Sequence, residues 1–301
     1  MTEYDSGSRP FGRVLTAMIT PFSATGTLDT DGAARLATEL IDEGGNDGLV
    51  VSGTTGESPT TSDAEKDHLL RAVVEAVGDR ATVVAGVGTN DTAHSVELAR
   101  MAAHAGADGL LVVSPYYNKP PQSGLLAHVR TIADATPLPV MLYDIPGRTG
   151  VAFSTETLLR AGEHERIVAV KDAKGDLGAA SQVMAHSDLA FYSGDDMVNL
   201  PLLSVGAVGF VSVVGHLVGS RLRELLVSFE AGDVRGATQI HRSLLPIYTG
   251  LFRTQGAILT KAALTLQGRP AGPMRPPLPD ATEEQINVLC DDLAAGGVKT
   301  D

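Results

Sequence analysis

The sequence predicts an α/β protein: a (β/α)8 TIM barrel followed by a small C-terminal all-α domain. Three observations carry that prediction. Eight short apolar runs recur at 14–19, 48–51, 82–86, 109–113, 140–143, 167–171, 190–193 and 209–213, each near-continuously apolar rather than alternating, as strands buried on both faces are. Amphipathic helical patterns fill the intervals, as at 31–43 and 63–77, and strand alternating with helix implies parallel pairing. Eight such units within about 220 residues suit a closed barrel better than an open doubly wound sheet. The stretch Gly86-Val87-Gly88-Thr89-Asn90 begins like a dinucleotide fingerprint, but Asp91 stands where the third glycine belongs, so it reads as a turn.

Helix starts are marked where Ser62 precedes Glu65 and Asp280 precedes Glu283, the capping-box spacing, which puts them near Asp63 and Ala281. Beyond Gly232 the strand runs stop. Helical patterns at 234–245 and 246–267 lead into 269–280, which holds five of the chain's 16 prolines, and then into a last helix at 281–295. The predicted division is therefore a barrel with a short polar N-terminal tail at 1–232 and a helical domain at 233–301.

Composition narrows the function classes. The chain has 301 residues, 43% apolar and 20% charged, with a formal charge of −13, which is ordinary for a soluble globular protein. An acidic surface repels phosphate backbones, and 4% aromatics with no Trp leave little for base stacking, so no nucleic-acid partner is expected. The sole cysteine, Cys290, can close no internal disulfide and build no Cys-rich metal site. Residues 1–10 are polar and lack the apolar segment of a signal peptide, and the weakly polar stretch 205–219 is broken by glycines, Ser212 and His216. The expectation is a cytoplasmic protein with no membrane span.

In a parallel barrel the chemistry sits just past the C-terminal ends of the strands. The second strand ends in Ser52-Gly53-Thr54-Thr55-Gly56-Glu57, the fourth in Ser114-Pro115-Tyr116-Tyr117-Asn118, and the fifth in Tyr143-Asp144-Ile145-Pro146-Gly147-Arg148. The sixth ends in Lys171-Asp172, the seventh in Ser193-Gly194-Asp195-Asp196, and the eighth in Val211-Ser212. Lys171 is the sharpest of these. A buried ammonium is costly, so its pKa should fall, and a neutral amine there is a nucleophile suited to Schiff-base formation. Taken alone, the same lysine could leave the strand into solvent or pair with Asp172.

Tyr143 ends the neighbouring strand and could shuttle the protons that imine formation requires, or simply pack for its area, as could Tyr116 and Tyr117. Gly53-Thr54-Thr55-Gly56 offers consecutive N–H donors and two hydroxyls, a small carboxylate nest or merely a tight turn. Arg148, after a rigid Pro-Gly turn, could bind a second carboxylate or form a surface ion pair. The histidines, His94, His128 and His216 among them, show no metal-ligand spacing, and Asp195-Asp196 reads as a loop or capping pair. A metal-assisted mechanism is therefore disfavoured.

Four motifs in register carry a resemblance: Gly53-Thr54-Thr55-Gly56-Glu57, Pro115-Tyr116-Tyr117-Asn118-Lys119-Pro120, Tyr143-Asp144-Ile145-Pro146-Gly147-Arg148-Thr149-Gly150 and Val170-Lys171-Asp172. Together they resemble the dihydrodipicolinate synthase family of pyruvate-dependent class I aldolases, from about Arg13 to the last helix. The resemblance implies a lyase, usually a homotetramer and needing no metal or organic cofactor, that condenses pyruvate with aspartate semialdehyde on the diaminopimelate route to lysine. It implies that Lys171 forms the imine, that Tyr143 donates and accepts protons, and that Thr54 and Tyr117 complete the relay, Tyr117 from across a dimer interface. Thr55 would hold the pyruvate carboxylate, Gly194 and Val211 would supply backbone contacts, and Arg148 would bind the second substrate.

Related readings are an N-acetylneuraminate lyase-like or keto-deoxy sugar acid aldolase, which Arg148 and Tyr117 argue against. A keto-acid-binding barrel without turnover is opposed by the intact Lys171, Tyr143 and Thr54. Two departures from the family pattern stand out. Asp144 occupies a position where Asn is frequent, and Asp63, Lys66 and His94 stand where lysine-inhibited members often place His or Glu. Lys66 would repel a lysine ammonium, so weak or absent feedback inhibition is expected. Were Lys171 not the nucleophile, Lys261 would be the next candidate.

Overall fold

A computed structural model describes residues 9–300; residues 1–8 of the predicted polar tail lie outside the described residues. Eight parallel strands close in sequence order, with the last pairing the first. They are β1 Val14–Ala17, β2 Gly48–Val51, β3 Thr82–Gly86, β4 Gly109–Val113, β5 Val140–Asp144, β6 Ile167–Asp172, β7 Ala190–Ser193 and β8 Gly209–Ser212. The helices between them are α1 Thr30–Asp42, α2 Asp63–Val77, α3 Thr92–Ala105, α4 Gln122–Asp134, α5 Pro146–Thr149, α6 Thr155–Gly162, α7 Leu177–His186 and α8 Asn199–Leu203. After the last strand come α9 Gly215–Glu230, α10 Val234–Leu251, α11 Gly256–Leu266 and α12 Glu283–Ala295.

Two apolar layers explain why every strand reads as a continuous apolar run. Leu15, Val50, Val84, Leu111, Met141, Ala169, Tyr192 and Val211 fill the barrel interior, while alternate residues such as Val14, Leu49, Val83, Leu110 and Val170 pack outward under the helices. The N-terminal end of the barrel is plugged. Phe11 meets Tyr192 edge to face at 6.3 Å, and the Tyr192 hydroxyl accepts from Phe11 N at 3.3 Å and donates to the Gly12 carbonyl at 3.0 Å. Gly109 leaves room for this plug, because a Cβ there would lie 2.4 Å from the Phe11 ring. The interior therefore opens toward the C-terminal ends of the strands.

Strands β1, β5, β6 and β8 end one or two residues from expectation, and the C-terminal helices differ more. The capping box of the last helix is Thr282 with Gln285 rather than Asp280 with Glu283, because the Asp280 carboxylate is taken by the Met274 N–H at 2.7 Å. Helix α10 runs through Pro246 instead of breaking there. It buries Leu244, Ile247, Tyr248 and Leu251 in the layer that also holds Leu222 and Leu225 of α9 and Leu289 and Leu293 of α12, and that packing outweighs the hydrogen bond a proline forfeits. The real interruption is at 252–255, between α10 and α11. Among the described residues no helix is long and apolar enough to cross a membrane.

Candidate active site

Lys171 and Tyr143 are register partners at the ends of β6 and β5. The Lys171 Nζ lies 4.2 Å from the centre of the Tyr143 ring, and both side chains are buried. Loss of hydration is the largest influence on the amine; Asp196 opposes it, Arg148 reinforces it, and the pKa falls to about 7. Burial pushes the Tyr143 phenol up to about 12, with Arg148 opposing and Asp195 adding to the rise. The tyrosine is thus a neutral O–H and the lysine an amine poised between its two forms, the complementary states that proton transfer requires.

A cavity of about 290 Å³ opens over this pair, lined by Thr54, Thr55, Tyr143, Arg148, Lys171 and Gly194 among others. Six of the eight residues singled out from the sequence therefore meet in one space. A neighbouring cavity of about 250 Å³ shares Thr54, Tyr143, Ile145 and Arg148 with it and is walled by Tyr116, Leu111 and Val113. Gly194 is required sterically: a Cβ there would stand 2.8 Å from Lys171 Cγ and 3.1 Å from the Asp172 carbonyl oxygen.

The remaining two residues lie elsewhere. Val211 points into the packed barrel interior, and its neighbour Val213 reaches the cavity wall. Tyr117 projects away from its own chain at 89% exposure, on a left-handed backbone with φ 73°. For a bulky residue that conformation is an outlier.

Local sequence explains how the Thr54–Thr55 loop is held. Left-handed backbone at Ser52 and Glu57 (φ 57° and 54°) bounds it, and Thr20 Oγ1 donates to the Gly56 carbonyl at 2.6 Å. Several contributors escaped the sequence reading. Asp196 is buried and accepts from Ser212 Oγ (2.5 Å), Asn199 Nδ2 (3.0 Å), Val213 N (3.0 Å) and Val214 N (3.1 Å), fixing the turn after β8. Phe252 and Gln255, from the break between α10 and α11, and Gly256 and Ala257, at the start of α11, close one side of the cavity. The only advance sign of Asp196 was its place after the seventh strand, and nothing marked Phe252.

Lys261, the alternative nucleophile, is also buried, but its Nζ is ion-paired to Glu57 at 2.6 Å and does not line the Lys171 cavity. At the surface cluster of Asp63, Lys66 and His94, the His94 Nε2 is 2.9 Å from Asp63. Lys66 turns inward and donates to the Thr61 carbonyl. Among the described residues no group of three or more His, Cys, Asp or Glu is gathered to hold a metal ion.

The sequence model of the dihydrodipicolinate synthetase family matches residues 10–295. A 4-hydroxy-tetrahydrodipicolinate synthase of Acidothermus cellulolyticus is 67% identical, with 96% of this chain and 93% of that protein covered. 4-hydroxy-tetrahydrodipicolinate synthase 2 of Streptomyces coelicolor is 68% identical, covering 96% and 97%. Among solved structures, the lysine-bound dihydrodipicolinate synthase of Cyanidioschyzon merolae superposes with a TM-score of 0.95 at 42% identity, over 97% of this chain and all of that one. With the rim motifs set on a closed eight-stranded barrel and a family match from residue 10 to residue 295, the chain belongs to the dihydrodipicolinate synthetase family.

Proposed function

We propose that the chain condenses pyruvate with L-aspartate 4-semialdehyde through a Lys171 Schiff base, giving 4-hydroxy-tetrahydrodipicolinate for lysine and diaminopimelate biosynthesis. The observation that carries the reading is the buried Lys171 amine, 4.2 Å over the Tyr143 ring, in a cavity that also presents Thr54, Thr55 and Arg148. Lys171 Nζ attacks the keto carbon of pyruvate. Tyr143 delivers the proton with which the former carbonyl oxygen leaves as water, and the imine forms. Loss of a methyl proton gives the enamine, whose carbon bonds to the aldehyde carbon. The amine of the second substrate then displaces Lys171 and closes the ring.

In this reading Thr55 holds the keto-acid carboxylate with its hydroxyl and N–H, Gly194 and Val211 lend backbone contacts, and Arg148 takes the carboxylate of the semialdehyde. Thr54 and Tyr117 extend the proton relay, Tyr117 from a second copy, which its exposure and its strained backbone support. The assembly is then a homotetramer built from dimers, working in the cytoplasm as a barrel catalytic unit (1–232) with a helical domain (233–301).

The test is reduction with borohydride in the presence of pyruvate, with and without the semialdehyde, followed by peptide mass mapping. An adduct on Lys171 that diminishes with the semialdehyde is expected. An adduct insensitive to it would reassign the second substrate, and no adduct would overturn the Schiff-base reading.

A further inference from the structure

We propose that the buried Glu57–Lys261 ion pair, braced by Arg275, is a positioning device for the Thr54–Thr55 loop, through which the C-terminal segment sets affinity for the keto acid. The inference rests on the keto-acid reading of the cavity and extends it to residues outside that cavity.

The loop needs such a device. Two non-glycine residues in left-handed backbone, Ser52 and Glu57, bound it, and strain of that kind persists only where the surroundings over-determine it. At Glu57 they do. One carboxylate oxygen is 2.6 Å from Lys261 Nζ, with side chains 1% and 3% exposed, and the other accepts the Arg275 N–H at 2.9 Å. Lys261 Nζ also donates to the Pro273 carbonyl at 2.9 Å. The Arg275 guanidinium reaches both oxygens of Glu65 at 2.5 and 3.0 Å, the Gly26 carbonyl at 2.8 Å and the Thr60 carbonyl at 2.9 Å.

Both cations pack on one aromatic ring: Phe22 has Lys261 Nζ at 4.2 Å and Arg275 Cζ at 4.1 Å from its centre. Two carboxylates and two cations thus balance within one cluster. It ties together the loops after β1 and β2, the start of α2, helix α11 and the proline-rich segment before α12. The same α11 begins with Gly256 and Ala257, which wall the Lys171 cavity.

Stability alone is a poor account of this cluster. A buried ion pair often contributes no more than a well-packed apolar pair of the same volume, because desolvation offsets the attraction. What an apolar pair would lack is direction: Glu57 has a defined cation on one oxygen and a backbone donor on the other. The backbone of Gly53–Gly56 is thereby held in the arrangement that presents Thr54 and Thr55 to the cavity.

The test uses Glu57→Gln with Lys261→Met, which removes both charges at nearly constant volume and leaves no buried charge unpaired. The readouts are melting temperature and the pyruvate dependence of borohydride-trapped adduct on Lys171. The expected result is a folded protein whose half-saturating pyruvate rises about ten-fold or more, while the rate at saturating pyruvate falls far less. Arg275→Gln, which keeps the ion pair and loosens its brace, is expected to shift half-saturation in the same direction by a smaller factor. Wild-type half-saturation in the double variant would overturn the proposal, as would a loss confined to the saturated rate. Absence of a Lys171 adduct in the wild type would overturn the keto-acid reading itself, and the inference with it.

Discussion

In the proposed Schiff-base mechanism the lowered pKa of Lys171 sets the pH dependence of imine formation, and the size of the effect follows from its surroundings. Burial takes the amine from the ordinary 10.5 to about 7. An ordinary lysine is neutral in about one molecule in three thousand at pH 7, whereas Lys171 is neutral in about half. The reactive population is therefore raised about a thousandfold, equivalent to about 4 kcal/mol of barrier. Initial rates of pyruvate adduct formation, trapped with cyanoborohydride at subsaturating pyruvate, should rise about ten-fold per pH unit below 6 and level off above 8. Arg148→Gln removes a nearby cation that pushes the pKa down, so its inflection should move to higher pH. A rate still climbing ten-fold per unit at pH 9 would mean that Lys171 titrates as an ordinary ammonium, and the burial argument would fail.

Three other outcomes are expected. Lys171→Met, like Lys171→Ala, should form no trapped adduct, and the Met variant should melt above the wild type near pH 7. The folded pKa lies below the unfolded one, so only the unfolded chain holds that proton between about 7 and 10.5. Wild-type stability accordingly rises with pH through that window, and the gap to the variant should narrow; a gap constant from pH 7 to 10 would refute the assignment. Gly194→Ala places a Cβ 2.8 Å from Lys171 Cγ and should cost about 1–3 kcal/mol of stability by overpacking, with at least a ten-fold slower trapping rate. Unchanged melting and trapping would show that the contact relaxes freely. L-Lysine should inhibit weakly, because Asp63 is already committed to His94 at 2.9 Å and has the Lys66 ammonium at 3.9 Å; half-inhibition at micromolar to low millimolar lysine would contradict this.

The barrel was legible because each strand is apolar on both faces. The runs at 48–51, 82–86, 109–113 and 190–193 coincide with β2, β3, β4 and β7 to the residue, and rim chemistry follows once strand ends are known. What escaped was chemistry made by distant partners. Asp196 looked like half of a loop pair, since nothing local announces that Ser212 and the N–H groups of Val213 and Val214 will converge on it. Phe252 and Gln255 fell inside or beside an apparently helical stretch, and only the break between α10 and α11 turns them toward the cavity. Asp280 has the capping-box spacing to Glu283, but the Met274 N–H takes its carboxylate at 2.7 Å and Thr282 caps the helix instead.

The two buried lysines show how partners decide the use of one side chain. Both lose hydration, and burial lowers both pKa values. At Lys261 a carboxylate stands 2.6 Å away and a carbonyl at 2.9 Å, so the ammonium is retained as a structural cation. At Lys171 the Nζ faces a ring at 4.2 Å, and the carboxylate that favours its charged form, Asp196, is engaged with four donors of its own. Supplying Lys171 with a carboxylate at the distance Glu57 keeps from Lys261 would make it more stable and less reactive. The barrel therefore places a buried amine without an ion-pair partner where the cavity opens, and leaves compensated charge at Glu57, Lys261 and Arg275 to hold the surrounding loops in register.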